Sequence, residues 1–246
     1  MERGDYGTLF VVATPIGNLE DITFRAVRVL RESALVACED TRVTKRLFDR
    51  YDIETKTIAF HQHSREKGAE AILARLEAGD NVAFVTDAGT PGISDPGNIL
   101  VERALERGIS VVPIPGPSAL TAILSIAGMD TQRFLFLGFV PHKKGRKTFF
   151  ERVAASDVPV AYFDSVHRVV KNLDMLAGVA PDAQVIVGRE LTKMFESVYR
   201  GTAVEVLEYL GEHPEEVRGE FVVVVTGDKG QVTRDPLTRR RFGRTL

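Results

Sequence analysis

Along the first 115 residues, short apolar runs alternate with stretches in which apolar residues return every third or fourth place. The runs are Leu9 to Ala13, Leu35 to Cys38, Val82 to Thr86 and Val111 to Ile114. Each has the length and continuity of a strand buried on both faces. Between them, Thr23 to Glu32, Glu66 to Ala78 and Asn98 to Arg107 carry the helical period. Ala78-Gly79-Asp80 and Arg107-Gly108 supply glycine helix ends. This alternation predicts a parallel sheet.

Pro113-Ile114-Pro115-Gly116-Pro117 interrupts both periods, because three prolines fit neither a ladder nor a helix body. A domain junction belongs here, giving an N-terminal α/β domain over 1–115 and a second over 116–228, followed by a basic tail at 229–246. Ser118 is placed to cap a helix from Ala119 to Ala127, with Gly128 at its end. Strands are then expected at Phe134 to Leu137, Val160 to Phe163, Gln184 to Val187, Phe195 to Arg200 and Phe221 to Thr226, with helices at Val169 to Ala177 and Thr202 to Leu210. No long helix separates the strands on either side of Glu190 to Phe195, so the second sheet is predicted to be mixed.

The 44% hydrophobic content of the 246-residue chain is ample for two buried cores. A formal charge of −2 creates no global positive field, so contact with nucleic acid has to come from local basic patches. Gly227 to Leu246 carries six lysines or arginines against two aspartates, which reads either as a solvated tail or as a phosphate-contacting one. The one cysteine, Cys38, cannot form an internal disulfide, and no Cys/His cluster has zinc-ligand spacing. Apolar runs such as Phe221 to Val225 fall far short of the ~20 residues that span a bilayer. A reducing, cytoplasmic setting away from membranes is the expectation.

Candidate chemistry gathers at strand ends. The first strand runs into Thr14-Pro15-Ile16-Gly17-Asn18, either a plain connector or a ligand turn. The Val82 strand opens into Asp87-Ala88-Gly89-Thr90-Pro91-Gly92-Ile93-Ser94-Asp95-Pro96-Gly97. Its glycines allow bare backbone against a ligand, and carboxylates such as Asp87 can meet hydroxyls or an amine. Neither the G-x-G-x-x-G nor the P-loop fingerprint occurs, so the usual nucleotide cofactors have no signature. Ala37-Cys38-Glu39-Asp40-Thr41-Arg42 sets two acids and an arginine on the same sheet edge, as a solvated turn or a functional one. Cys38 itself lies in an apolar run and reads as a packed thiol. His61-Gln62-His63 has alternate spacing, but further metal ligands are missing, leaving a polar pair or a substrate contact. His142-Lys143-Lys144-Gly145-Arg146-Lys147 is a basic loop without an acid, either a solvated face or a phosphate binder.

Taken together, Val12 to Leu19, Cys38 to Arg42, Asp87 to Gly97 and Pro113 to Ala119 resemble the small-subunit ribosomal RNA methyltransferases of the tetrapyrrole methylase superfamily. The similarity continues through Arg133 to Phe139, the basic loop, Ser165 to Arg168, Arg189 to Lys193 and Gly219-Glu220, covering nearly everything from residue 8 to residue 227.

The resemblance implies a class III methyltransferase fold of two α/β domains with S-adenosylmethionine held in the cleft between them, usually in a homodimer. It implies methylation of the ribose 2′-hydroxyl of a cytidine in the decoding region of 16S rRNA, on naked RNA or the small ribosomal subunit. Carried over by position, cofactor contacts fall on Pro15, Ala88, Gly89, Thr90, Ile93, Ser118 and Ala119, beside the Asp87 noted above, with Phe163 and Leu191 as apolar cover. Glu39 or Asp40 is expected to accept the hydroxyl proton, and Arg42 or Lys193 to steady developing charge. Lys143, Lys144, Arg146 and Lys147 are the expected RNA contacts. Two departures stand out: Phe163-Asp164-Ser165-Val166 replaces a more usual Tyr-Glu-Ser-Pro, and the chain stops soon after its last strand where many members add a small helical extension. The first bears on the edge of the cleft, and the second on the extent of the RNA-binding surface. Two other functions fit the same fold: carbon methylation of a tetrapyrrole, and a non-catalytic RNA-binding assembly factor.

Overall fold

Two sheets organise the chain, which divides into two units between Ser118 and Ala119. The computed structural model describes residues 6–60, 65–94 and 98–226. His61, His63, the end of the glycine-rich loop at Asp95 to Gly97 and the basic tail lie outside the described residues.

The first unit runs β1 (Thr8–Val12), α1 (Phe24–Glu32), β2 (Leu35–Cys38), α2 (Thr41–Arg50), β3 (Thr57–Ala59), α3 (Arg65–Glu77), β4 (Val82–Val85), α4 (Asn98–Glu106) and β5 (Ser110–Ile114). Its strands lie in the order β3-β2-β4-β1-β5, and every pair is parallel, as the alternation predicts. The period of two explains why the strands are apolar throughout. Val12, Val36, Cys38, Ala83 and Val85 pack on α1 and α2, while Leu9, Ala37, Val82 and Phe84 pack on α3 and α4. Cys38 is fully buried in this core, where its thiol donates to the Ile58 carbonyl at 3.6 Å, in keeping with a packing role.

Two elements of this unit escape the hydrophobic pattern. Helix α2 buries only Thr44, Leu47 and Phe48, too narrow a stripe to stand out in a polar sequence. Strand β3 is three residues long at the sheet edge and has no fully buried residue.

The second unit contains α5 (Ala119–Ser125), β6 (Leu135–Phe139), α6 (Arg146–Ala154), β7 (Val160–Ser165), α7 (Val169–Val179), β8 (Gln184–Arg189), β9 (Ser197–Thr202), α8 (Ala203–Glu212) and β10 (Glu220–Val225). The order is β6-β7-β10-β8-β9; β6 and β7 are parallel and the other pairs antiparallel, so the sheet is mixed as expected. Thr202 and Glu205 form a reciprocal capping box that starts α8 directly from β9. Two sequence boundaries need correction. Strand β9 begins at Ser197, because the segment before it is a turn, and Arg146 and Lys147 belong to the first turn of α6 and not to a loop. Among the described residues, no helix is long and apolar enough to cross a membrane.

Candidate functional site

Chain direction in the first sheet marks one place as special. From β1 the chain passes through α1 to β2, and from β2 through α2 to β3, always toward one edge. From β4 it leaves through α4, on the opposite face, past β1 to β5 at the other edge. The carboxyl end of β4 therefore lies between two strands whose connections depart the other way. Open α/β sheets bind ligands at such a switch point, because diverging connections leave a crevice there.

The loop that fills this crevice is tied to both neighbours. Toward β1, the Thr14 and Gly89 backbones exchange two hydrogen bonds, of 2.9 and 3.0 Å, in an isolated antiparallel bridge. Gly89 holds φ at +79°, a left-handed backbone that a side chain would strain. The buried Thr14 hydroxyl donates to the Thr86 carbonyl at 3.0 Å, and the Thr90 hydroxyl reaches the Pro117 carbonyl at 3.4 Å. Gly116 brings the proline turn so close that a Cβ there would stand 3.1 Å from the Ala13 Cβ. Pro15, Ala88, Gly89, Thr90 and Ser118 thus come from three loops bonded or packed to one another, with Ile93 exposed on the same β4 loop. The Thr14 and Thr86 hydroxyls hold this cluster, and a threonine at the end of each of two strands is their only signal in the sequence.

Toward β2, Asp87 Oδ1 accepts from the Asp40 backbone N–H at 3.0 Å. Asp40 caps α2: its Oδ1 accepts from the Arg42 N–H at 2.8 Å, and the Arg42 guanidinium grips the carboxylate with Nη2 to Oδ2 at 2.6 Å. Hydrogen bonds from the Arg42 side chain and backbone hold the Asp40 carboxyl down at about 2. So acidic a carboxylate is a weaker base than one at its ordinary value. Partial desolvation beside the sheet edge pushes Asp87 the other way, above its ordinary 3.8, against the pull of the Asp40 N–H and Arg42. Glu39 sits half-buried in the same turn.

In the second unit, Lys143, Lys144 and Lys147 are exposed before and within the first turn of α6, which opens at Gly145 with φ +86°. Arg146 differs from its neighbours. Its guanidinium donates to the carbonyls of Pro141 and His142, folding back on its own loop, while Arg168 fixes the Val140 carbonyl at 3.0 Å. Arg146 is thus tied to its own loop, while the three lysines point outward. Lys193 bonds Glu190 at 2.9 Å and Glu220 at 3.1 Å, so its charge is already shared. Phe163 joins an aromatic cluster with Phe136 and Phe139. Leu191, nearly buried, packs beside Gly188, and Ala119 opens α5. Among the described residues, no group of three or more His, Cys, Asp or Glu has the geometry of a metal site.

Comparison with known proteins fits this geometry. Residues 8–207 match the family of tetrapyrrole (corrin/porphyrin) methylases. The chain is 45% identical to the ribosomal RNA small subunit methyltransferase I of Pseudomonas aeruginosa, over 90% of this chain and 79% of that protein. The protein of the same name from Halalkalibacterium halodurans is 41% identical over 94% of this chain and 80% of its own length. A crystal structure of diphthine synthase superposes with a TM-score of 0.71 at 15% identity, covering 89% of each chain, a likeness of fold. This chain accordingly belongs to the tetrapyrrole methylase family, in the branch of the ribosomal RNA small subunit methyltransferase I proteins.

Proposed function

We propose that this chain transfers a methyl group from S-adenosylmethionine to the ribose 2′-hydroxyl of a cytidine in the decoding region of 16S ribosomal RNA. The observation that carries the reading is the β4 loop, bonded to both neighbouring strand ends at the switch point, in a chain whose close relatives bear that name.

The residues present suit the methyl donor. Its amino-acid end needs backbone N–H and C=O groups at close range, and the left-handed Gly89 with small Ala88 and Thr90 leaves that backbone bare. Pro15, Ile93 and Ser118 would complete the wall from the adjoining loops. When bound, S-adenosylmethionine supplies an electrophilic methyl carbon on a sulfonium. The chain's own contribution is chiefly alignment, holding the acceptor hydroxyl in line with that carbon. Such positioning accounts for about 7–11 kcal/mol of barrier in well-oriented systems.

Recognition of RNA falls to Lys143, Lys144 and Lys147, which a net charge of −2 leaves as a local patch and not part of a general field. The same reading puts the protein in the cytoplasm, on rRNA or a small subunit, as a homodimer.

Labelled S-adenosylmethionine incubated with undermethylated small subunits tests the proposal directly. A ribose methyl on a decoding-region cytidine is the expected product. Methyl transfer to a tetrapyrrole carbon, or tight RNA binding with no methyl transfer and no cofactor affinity in calorimetry, would each replace the reading.

A further inference from the structure

We propose that Asp87 is the catalytic group that takes the proton from the acceptor hydroxyl, an inference resting on the methyl-transfer reading above. Its backbone belongs to the glycine-rich loop, two residues before Gly89, but its carboxylate turns toward the end of β2 and accepts from the Asp40 N–H at 3.0 Å. Asp87 thus joins the loop proposed for the methyl donor to the turn expected to meet the acceptor. One carboxylate oxygen is fixed by that bond. The other, Oδ2, has no donor among the described residues, and the side chain is exposed to an incoming ligand.

The neighbouring acid is spent elsewhere. Both oxygens of Asp40 are held by Arg42, in service of the α2 cap. Among the described residues, the charged and titratable groups facing Asp87 are Asp40 and Arg42 at the start of α2 and the Cys38 thiol at the end of β2. Burial and the Asp40 charge raise the Asp87 carboxyl, which makes it the better base of the two at neutral pH.

The step balances without another reagent. The hydroxyl oxygen forms a bond to the methyl carbon as the carbon–sulfur bond breaks, the pair passes to sulfur to leave a neutral thioether, and the hydroxyl proton moves to Asp87 Oδ2. Water then recovers that proton.

Asp87→Asn is the discriminating variant, because the amide oxygen still accepts from the Asp40 N–H and keeps the turn in place. Turnover on saturating RNA should fall about 10²-fold or more, with calorimetric affinity for S-adenosylmethionine and for RNA within about threefold of the parent. In the parent, the acid limb of the rate profile should lie above pH 3.8, since activity needs the ionised carboxylate and is lost as pH falls through its raised value. That limb should vanish in Asp87→Asn and persist in Asp87→Glu, which also reports on the site if the amide folds poorly. Near-normal turnover in Asp87→Asn, a collapse of cofactor affinity in step with rate, or a large loss confined to Glu39→Gln would each overturn the assignment while leaving the methyl-transfer reading intact. A parent protein that places no methyl on ribose would overturn both.

Discussion

Asp40 and Asp87 meet across the ends of adjacent strands with the same functional group, yet their surroundings drive them in opposite directions. The sign has a consequence for stability. Asp40 is depressed to about 2, so its contribution is present above the ordinary value of 3.8 and is lost as pH falls toward 2. Asparagine caps helices as well as aspartate but cannot pair with Arg42. Asp40→Asn should therefore melt below the parent at pH 6, and the gap should close by about pH 2, followed by circular dichroism. Its turnover should stay within about threefold of the parent, while Asp40→Ala loses the cap and melts lower still. A melting gap that stays constant across the whole range would show that the Arg42 pair contributes nothing. At this scale the sequence displayed the loop and its acids through composition alone. It hid their division of labour, because the Asp40 cap needs a helix too polar to notice and the Asp87 bond spans 47 residues of chain.

Among the elements, the turn between β8 and β9 is tightly constrained. Glu190 and Thr192 hold positive φ, at 50° and 66°, and for a β-branched threonine that is an uncommon conformation. The turn is held from below. Glu190 accepts from the Glu220 N–H at 2.9 Å and from Lys193, and Gly219 leaves the space its carboxylate fills. A Cβ on Gly219, itself at φ +82°, would stand 2.2 Å from the Glu190 carboxyl carbon. Gly145 is the natural control, with φ +86° and open space where its Cβ would go. Gly145→Ala should cost about 1–2 kcal/mol, the strain of a left-handed residue alone. Gly219→Ala should cost that and roughly 1–3 kcal/mol more as Glu190 is expelled from its hydrogen bonds. Equal urea midpoints for the two variants would show that the Glu190 contacts carry no weight. Hydrophobic pattern found β8 and the mixed sheet but began β9 two residues early, since Phe195 looks like a strand residue and is 64% exposed in the turn. Helix α6 is hidden in the sequence for a related reason: its first turn is the basic cluster, and cations at a helix start run against the usual dipole preference.

For the whole molecule, the question is how a chain of net charge −2 engages a polyanion. Overall field gives no help, so attraction has to be local and should show in the salt dependence of binding. The outward lysines are Lys143, Lys144 and Lys147, of which Lys147 makes only a loose, exposed pair with Glu151 at 3.7 Å. Each phosphate contact to single-stranded RNA contributes about 0.7 to the slope of log affinity against log salt. Replacing all three by alanine should flatten that slope by about 2 and weaken binding most at low salt. Arg146→Ala is expected to behave differently. Its guanidinium is bonded to the Pro141 and His142 carbonyls, so its loss should lower the melting temperature and loosen the loop while changing the slope by less than about one contact. Calorimetric affinity for S-adenosylmethionine should be unchanged in both variants, which separates RNA attraction from the cofactor loop of the first unit. A triple variant with the parent's slope would make these lysines ordinary solvated surface; an Arg146→Ala slope that drops as far as the triple variant's would return the guanidinium to the phosphate contacts.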